Sequence, residues 1–322
     1  MIASVEGGST TQRSYSRAVV YLYTQTGQLR EVTKALTDPL EGRDWSVRWV
    51  DVQPRKGFPF PWPVRRFFGV FPEAVDRSAL VELVEPKDGF HTAADELVIL
   101  AYQVWYLSPS IPIRSLLAAH PESVRDRDVV TVIACRNMWY SAAIEMCQLL
   151  RAAGARSVEV VAATDTRSSA TTLVTTLRWL LTGNREPFLW FGRAGVGADE
   201  LGRVAEVGRC LAEAEPRPSE MAPVVPALAV ADILAGHAFR RWGALADRAR
   251  AHGKAASAAS LTAFVLVLLA AIALGLPLAA TAEVLGGARL AARIRGLVYR
   301  QILFGHTAFR GTERPLRSLS TL

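Results

Sequence analysis

Cysteine and histidine are scarce in this sequence, and their scarcity limits the chemistry the chain can perform. There are three cysteines, Cys135, Cys147 and Cys210, and five histidines. The cysteines are too few and too scattered for a disulfide framework or a zinc site, and the histidines lack metal-ligand spacing. The sequence therefore predicts neither a structural disulfide nor a metal centre.

Two further absences narrow the class of protein. Residues 1–17 are rich in Ser, Thr and Gly and have no apolar core, so they are interpreted as a disordered tail and not as a secretory signal. No RNA-binding or zinc-finger signature accompanies the net charge of +7, so no nucleic-acid partner is predicted. At 322 residues, the chain can hold one sizeable domain with additional segments.

The first strongly apolar run leads directly into a polar turn. Residues 18–23 are typical of a strand buried on both faces, and a helix is predicted over 28–40. The turn between them contains Thr24, Gln25, Thr26, Gly27 and Gln28. Gly27 lets the backbone approach a ligand closely, and the hydroxyls of Thr24 and Thr26 can donate hydrogen bonds. The unpaired N–H groups and the dipole of the helix favour a phosphate at this turn.

Four further strands are predicted along the chain, over 45–52, 96–102, 128–134 and 157–164. Strands that alternate with helices of this length indicate an α/β protein, with a five-stranded parallel sheet and helices on both faces. The predicted strand order is 2-1-3-4-5. A ligand is expected at the switch point between the first and third strands.

The third and fourth predicted strands end in loops that combine aromatic and polar side chains. The first loop contains Gln103, Val104, Trp105, Tyr106, Leu107 and Ser108; the second contains Cys135, Arg136, Asn137, Met138 and Trp139. Open α/β sheets bind ligands at the carboxyl ends of their strands, so both loops are predicted to contribute to a site. The alternatives are a core position for Trp105 or Tyr106 and a solvated loop around Arg136 and Asn137.

Two insertions rich in aromatic residues interrupt the strand and helix pattern. The proline density of 58–75 excludes a central strand and a long helix, so its rings either cap the core or wall a pocket. We predict that 58–75 and 171–191 together wall a hydrophobic cleft lined by Trp62, Phe67 and Trp105. The alternative is that each insertion packs separately on its own edge of the sheet.

The composition changes after residue 215. Residues 216–254 are interpreted as a linker and an amphipathic helix, and 255–282 contain no charged side chain. An apolar run of this length can cross a bilayer, although a core helix is the alternative. A membrane-associated segment over 255–282 is predicted, followed by a basic helix and tail over 283–322. The expected location is the inner (cytoplasmic) membrane, with 18–215 in the cytoplasm.

The turn after the first strand resembles the phosphate loop of the flavodoxin superfamily, which has the pattern T-x-T-G-x-T. Thr24, Thr26 and Gly27 match this pattern, whereas Leu29 stands at its last hydroxyl position. The resemblance implies a flavodoxin-like fold that binds FMN. The implied cofactor-binding residues are Thr24, Gln25, Thr26, Gly27, Gln28, Leu29, Gln103, Val104, Trp105, Tyr106, Leu107, Ser108, Cys135, Arg136, Asn137 and Trp139.

Longer motifs at 23–29, 58–73, 102–112 and 130–139 resemble the flavodoxin-like proteins labelled dialkylresorcinol condensing enzyme. The resemblance implies a role beside a ketosynthase-type enzyme, in which a dialkyl cyclohexanedione is oxidised to an aromatic resorcinol. Acyl condensation uses a nucleophilic Cys held with a His, and Cys135 has no histidine nearby in sequence. A redox step therefore suits the chain better than a condensation.

The sequence supports one principal functional hypothesis and two alternatives. The principal hypothesis is a membrane-anchored, FMN-binding oxidoreductase that acts on a lipophilic small molecule. The first alternative is a non-catalytic flavin electron carrier, and the second is a flavin-free scaffold for a membrane lipid pathway. No residue is identified as a general acid or base.

Overall fold

The computed structural model describes residues 15–216, 221–304 and 317–318. Much of the predicted tail over 1–17, and part of the predicted tail within 283–322, lie outside the described residues. The strands are β1 (Arg17–Leu22), β2 (Ser46–Asp51), β3 (Gln53–Pro54), β4 (Ala79–Leu80), β5 (Leu83–Val84), β6 (Glu96–Tyr102), β7 (Val104–Trp105), β8 (Ser108–Pro109), β9 (Asp128–Cys135), β10 (Ser157–Thr164) and β11 (Arg317–Ser318). The helices are α1 (Gln28–Glu41), α2 (Val64–Gly69), α3 (Phe71–Val75), α4 (Ile111–Ala119), α5 (Tyr140–Ala152), α6 (Ser169–Thr182), α7 (Ala198–Ala212), α8 (Pro226–Ala251) and α9 (Lys254–Phe304).

Five of these strands form one parallel sheet in the order β10-β9-β6-β1-β2. The predicted order 2-1-3-4-5 counted only the five long strands. Two-residue strands lie between these along the chain, so the strand numbers in the order change. Numbered over all strands, the order is 2-1-6-9-10. The five stretches predicted for the sheet are the ones that form it, and the switch point lies between β1 and β6.

The central strands are mostly apolar and buried because helices cover both faces of the sheet. All seven residues of β6 are buried. Val19 and Tyr21 of β1 pack in the cluster that includes α4 and α5, whereas Ala18 and Val20 pack in the cluster of α1 and α7. Alternate side chains of one strand therefore enter two separate cores, as the pleat requires.

The predicted membrane segment over 255–282 falls within α9, which runs from Lys254 to Phe304 with a non-helical Gly287. A transmembrane helix was predicted here, and none of the helices that the structure describes is both long and apolar enough to span a bilayer. Part of the apolar sequence is used in packing. Phe264 is 2 % exposed and stacks on Phe71 with ring centroids 3.7 Å apart, which attaches α9 to α3.

Helix α8 is attached to the sheet domain by a buried carboxylate. Asp232 is fully buried and accepts hydrogen bonds from the backbone N–H groups of Tyr140 (3.2 Å) and Ser141 (2.8 Å), at the N-terminus of α5. Burial raises the pKa of Asp232 to about 6 and outweighs these hydrogen bonds, which lower it. Ionised Asp232 is therefore less favourable in the folded chain than in the unfolded chain.

We predict that Asp232 makes the folded protein less stable as the pH rises from about 4 to about 6. The unfolded pKa of Asp is about 3.9, so the folded state binds more protons within this window. The stabilising contribution of protonated Asp232 is fully present below the pKa of Asp in the unfolded chain. It is lost as the pH rises through the pKa of Asp232 in the folded protein. Urea unfolding at pH 4, 5, 6 and 7 should show wild type losing stability relative to Asp232→Asn. A stability difference that is constant over this range would contradict the prediction.

Candidate functional site

A cavity of about 310 Å³ lies at the carboxyl ends of β1, β6 and β9, beside the switch point of the sheet. We call it the strand-end cavity. Three strand-end segments supply its polar side, and the two aromatic insertions supply its apolar walls. Its volume is at the lower end of the range of small-molecule sites, about 300–1,000 Å³.

The turn after β1 has a geometry that suits a bound anion. Gly27 precedes α1 in the left-handed conformation, with φ 80°, and an added Cβ there would meet no atom within 4 Å. The N–H of Gly27 donates to Thr24 Oγ1 (3.2 Å), and the N–H of Gln28 donates to Thr26 Oγ1 (3.4 Å). Each hydroxyl accepts from the turn in this way and keeps its own O–H for a ligand.

The glutamines of this turn bond to the first insertion and to the loop that follows the second insertion. Gln25 Nε2 donates to the carbonyl oxygen of Pro59 (3.1 Å), and Gln28 Oε1 accepts from the N–H of Val196 (3.3 Å). At Gly195 a Cβ would lie 2.0 Å from Gln28 Oε1, so this contact requires glycine. The contacts hold the first insertion, and the loop before α7, beside the turn.

The aromatic wall confirms the prediction that the two insertions enclose one cleft. Trp62, Phe67 and Trp105 all line the strand-end cavity, together with α6 from the second insertion. Trp62 and Trp105 meet edge to face with ring centroids 5.7 Å apart. The backbone N–H of Trp62 donates to the carbonyl oxygen of Leu180 (2.8 Å), so the first insertion is bonded directly to the second.

Two polar side chains at the cavity, Arg136 and Gln103, can make further hydrogen bonds or ion pairs with a ligand. Burial lowers the pKa of the Arg136 guanidinium, which donates to the carbonyl oxygen of Ser169 (3.0 Å) and contacts Met138 Sδ (4.0 Å). No described carboxylate lies within ion-pair distance of Arg136. Gln103 Oε1 is buried and has no hydrogen-bond partner among the described residues. An unpaired buried acceptor costs about 1–3 kcal/mol, so a ligand with a donor would be stabilised here.

The structure brings ten of the sixteen predicted site residues to the strand-end cavity. These are Gln25, Thr26, Gln28, Gln103, Val104, Trp105, Tyr106, Leu107, Cys135 and Arg136. Thr24 and Gly27 shape the turn without lining the cavity. Burial raises the pKa of the Cys135 thiol to about 12, so at neutral pH it is protonated and not a thiolate nucleophile.

The other four predicted residues do not line the cavity. Leu29 is 1 % exposed and packs in the core beneath α1. Ser108 is buried and donates to Glu145 Oε2 (3.3 Å), and Trp139 is fully buried against Tyr140. Asn137 is buried and donates to Ser169 Oγ (3.0 Å). The packing and hydrogen bonds of these side chains hold the loops that surround the cavity.

The stretch 171–191 was predicted to wall the cleft, but the face of α6 that does so was not named. This face consists of Leu173, Thr176, Leu177 and Leu180, and it lines the cavity together with Trp179 and Met138. The positions i, i+3, i+4 and i+7 are the spacing of one face of a helix, so a signal was present in the sequence. The pattern could not show which part of the molecule the face covers.

A comparison with family models and a comparison with curated proteins gave no match. Among solved structures, a flavodoxin from the domain Archaea is 12% identical, with a TM-score of 0.31. The match covers 62% of this chain and 96% of the flavodoxin chain. A provisionally assigned flavoprotein from Bacteroides eggerthii has 12% identity and a TM-score of 0.36, covering 52% of this chain and 98% of its own. These similarities are too distant to assign a ligand, and nothing in them supports the dialkylresorcinol label. The flavodoxin-like, doubly wound fold is identified from the chain's own sheet.

Proposed function

We propose that the strand-end cavity binds a flavin, and that the protein is an oxidoreductase acting on a lipophilic small molecule. The observation that carries the proposal is the meeting of three features in one cavity. These are the glycine-opened turn at the N-terminus of α1, the unpaired acceptor of Gln103, and apolar walls from both insertions. The residues present therefore fit an anionic, flat and partly apolar cofactor.

FMN is the proposed form of the flavin, because the turn supplies donors for one phosphate. Thr26 and the first N–H groups of α1 would hold the phosphate. Gln103 Oε1 would accept from an N–H of the ring, and Arg136 would face an electron-rich oxygen of the ring or of the substrate. When bound, the flavin supplies two-electron redox chemistry. Trp62, Phe67 and α6 would exclude water and contact the apolar part of the substrate.

Two alternatives to an enzyme are an electron carrier and a flavin-free scaffold. An electron carrier would leave the edge of its flavin open to a partner, whereas here two insertions stand over the cavity, which favours an enzyme. A flavin-free scaffold is supported by one observation. Leu29 is buried in the core, so the turn lacks the third hydroxyl of the flavodoxin pattern.

The finer assignment rests on the sequence motifs alone. It is the aromatisation of a dialkyl cyclohexanedione beside a ketosynthase-type enzyme. The apolar walls of the cavity suit the alkyl chains of such a substrate, and α6 contributes Leu173, Leu177 and Leu180 to them. The expectation of a cytoplasmic location at the inner membrane stays a prediction, which vesicle sedimentation of the full chain would test.

We predict that Thr26→Val weakens FMN binding about tenfold or more, because the phosphate loses a charge-assisted hydrogen bond. Riboflavin lacks the phosphate, so its affinity should change little. Thr176→Val is the matched control, since Thr176 lines the same cavity from α6. Quenching of flavin fluorescence would give the affinities of wild type and of both variants for FMN and for riboflavin.

Two outcomes would contradict the proposal that the turn binds the phosphate of FMN. The first is an equal loss of FMN and riboflavin affinity in Thr26→Val. The second is an equal effect of Thr26→Val and Thr176→Val on FMN. Either result would leave the cavity as a site for some other apolar ligand and would favour the scaffold.

A further inference from the structure

A second cavity, of about 780 Å³, lies on the other side of the first aromatic insertion. We call it the outer cleft. Trp62 and Val70 line both cavities, so the wall between them is formed by these side chains. The outer cleft has no part in the proposed flavin site, and its lining differs from that site in charge.

The lining of the outer cleft carries an excess of positive charge. Five basic side chains and two carboxylates line it. Arg55 pairs with Glu82 at 2.9 Å, and Arg250 pairs with Glu73. These two pairs use both of the carboxylates, so three cations of the lining remain.

The three remaining cations have no ion pair among the described residues. They are Lys56, in the loop after β3, and Arg65 and Arg66, on α2. All three side chains are exposed at the cleft. A cluster of like charges at a concave surface produces a positive potential that attracts anions. Arginine also offers a planar fork of donors that matches phosphate and carboxylate groups.

The floor of the outer cleft is apolar, which distinguishes it from an ordinary solvated surface. Trp62 is 5 % exposed and Ile111 is fully buried, and Phe58, Val70 and Val81 complete this part of the lining. If these cations served only to keep the protein soluble, no apolar floor would be needed beneath them. Charges above an apolar floor are complementary to a ligand that carries both an anionic group and a hydrocarbon chain.

We propose that the outer cleft binds a small amphiphile with an anionic head group of the phosphate or carboxylate type and an apolar chain. Arg65 and Arg66 hold the head group, and the chain lies on Phe58 and Trp62. The site is separate from the strand-end cavity, and its occupancy does not depend on a flavin.

Calorimetric titration of the full chain tests this site without any flavin. The probes are octyl phosphate, inorganic phosphate and octyl glucoside, with both octyl compounds below their micelle concentrations. Octyl phosphate should bind about tenfold or more tightly than either other probe, because only it engages both the cations and the apolar floor. Raising the salt concentration should weaken its binding.

A double variant and a matched control locate the binding. Arg65→Ala with Arg66→Ala should weaken octyl phosphate binding about tenfold or more. Arg293→Ala with Arg295→Ala removes the same charge from an exposed part of α9 and should leave the affinity within about twofold. Thermal unfolding of both double variants would check that they remain folded.

The proposal is overturned if octyl phosphate binds no more tightly than inorganic phosphate, or no more tightly than octyl glucoside. It is also overturned if the two double variants lose affinity equally. The Arg65→Ala and Arg66→Ala double variant separates this site from the strand-end cavity, because neither arginine lines that cavity. A loss of FMN binding in Thr26→Val likewise leaves this test unaffected.

Discussion

Glu145→Ala is expected to lower the free energy of unfolding by about 3–5 kcal/mol, because it leaves a buried cation without its carboxylate. The side chain of Glu145 is 1% exposed and lies 3.7 Å from that of Arg114, which is also 1% exposed. Arg77 (3.5 Å) and Arg240 (3.9 Å) approach the same carboxylate. The change therefore weakens the attachment of α4 and α8 to α5. Urea unfolding followed by circular dichroism would measure it.

An exposed ion pair provides the control for this prediction. Glu186 and Arg193 are paired at 3.5 Å, with side chains 69% and 54% exposed. Exposed pairs contribute little because water and salt screen them, so Glu186→Ala should leave the stability nearly unchanged. If Glu145→Ala were as mild as Glu186→Ala, the buried cluster would not hold these helices to the domain.

The second large effect is expected at the contact between α1 and α7. A Cβ added at Gly208 would lie 2.1 Å from the carbonyl oxygen of Leu36, a backbone atom that cannot move without shifting α1. Overpacking of this kind costs about 1–3 kcal/mol. Gly208→Ala should therefore be destabilising, even though alanine is the better helix former by about 1 kcal/mol.

Gly202 lies on the same helix and gives a control of opposite sign. A Cβ there would meet no atom within 4 Å. Gly202→Ala should raise the free energy of unfolding by about 0.5–1 kcal/mol through helix propensity alone. Thermal unfolding of both variants would compare them. Changes of the same sign would show that α1 and α7 are not in the close contact described here.

The sheet was predictable because burial on both faces leaves a strong local signal. The largely apolar stretches at 96–102 and 157–164 are the strands Glu96–Tyr102 and Ser157–Thr164. The first helix was predicted over 28–40, and it contains Pro39. The proline is accommodated within the helix, which ends at Glu41. Short elements had no such signal and were missed.

The hairpin of β7 and β8 shows why part of the site could not be predicted. Tyr106 and Leu107 both have positive φ, at 48° and 64°. Tight hairpin turns of this kind normally contain Gly or Asn, so the sequence gives no indication of one here. The hairpin decides that Tyr106 and Leu107 face the cavity while Ser108 is buried beside Glu145.

The contacts of the apolar run over 255–282 could not be predicted, for a different reason. Local hydropathy does not distinguish a bilayer span from a long helix that packs on its own domain. The contact of Phe264 with Phe71 joins positions far apart in the sequence, so no local pattern reveals it. The walls of the cavity were predictable because parallel strands place their carboxyl ends at one edge of the sheet.

The central claim is that the strand-end cavity binds FMN. Its most direct test is the absorbance spectrum of the full chain after incubation with excess FMN and gel filtration. We predict about one flavin per chain, with visible bands shifted from those of free FMN because the ring lies among Trp105 and the apolar walls. A folded protein that elutes without flavin absorbance would contradict the claim.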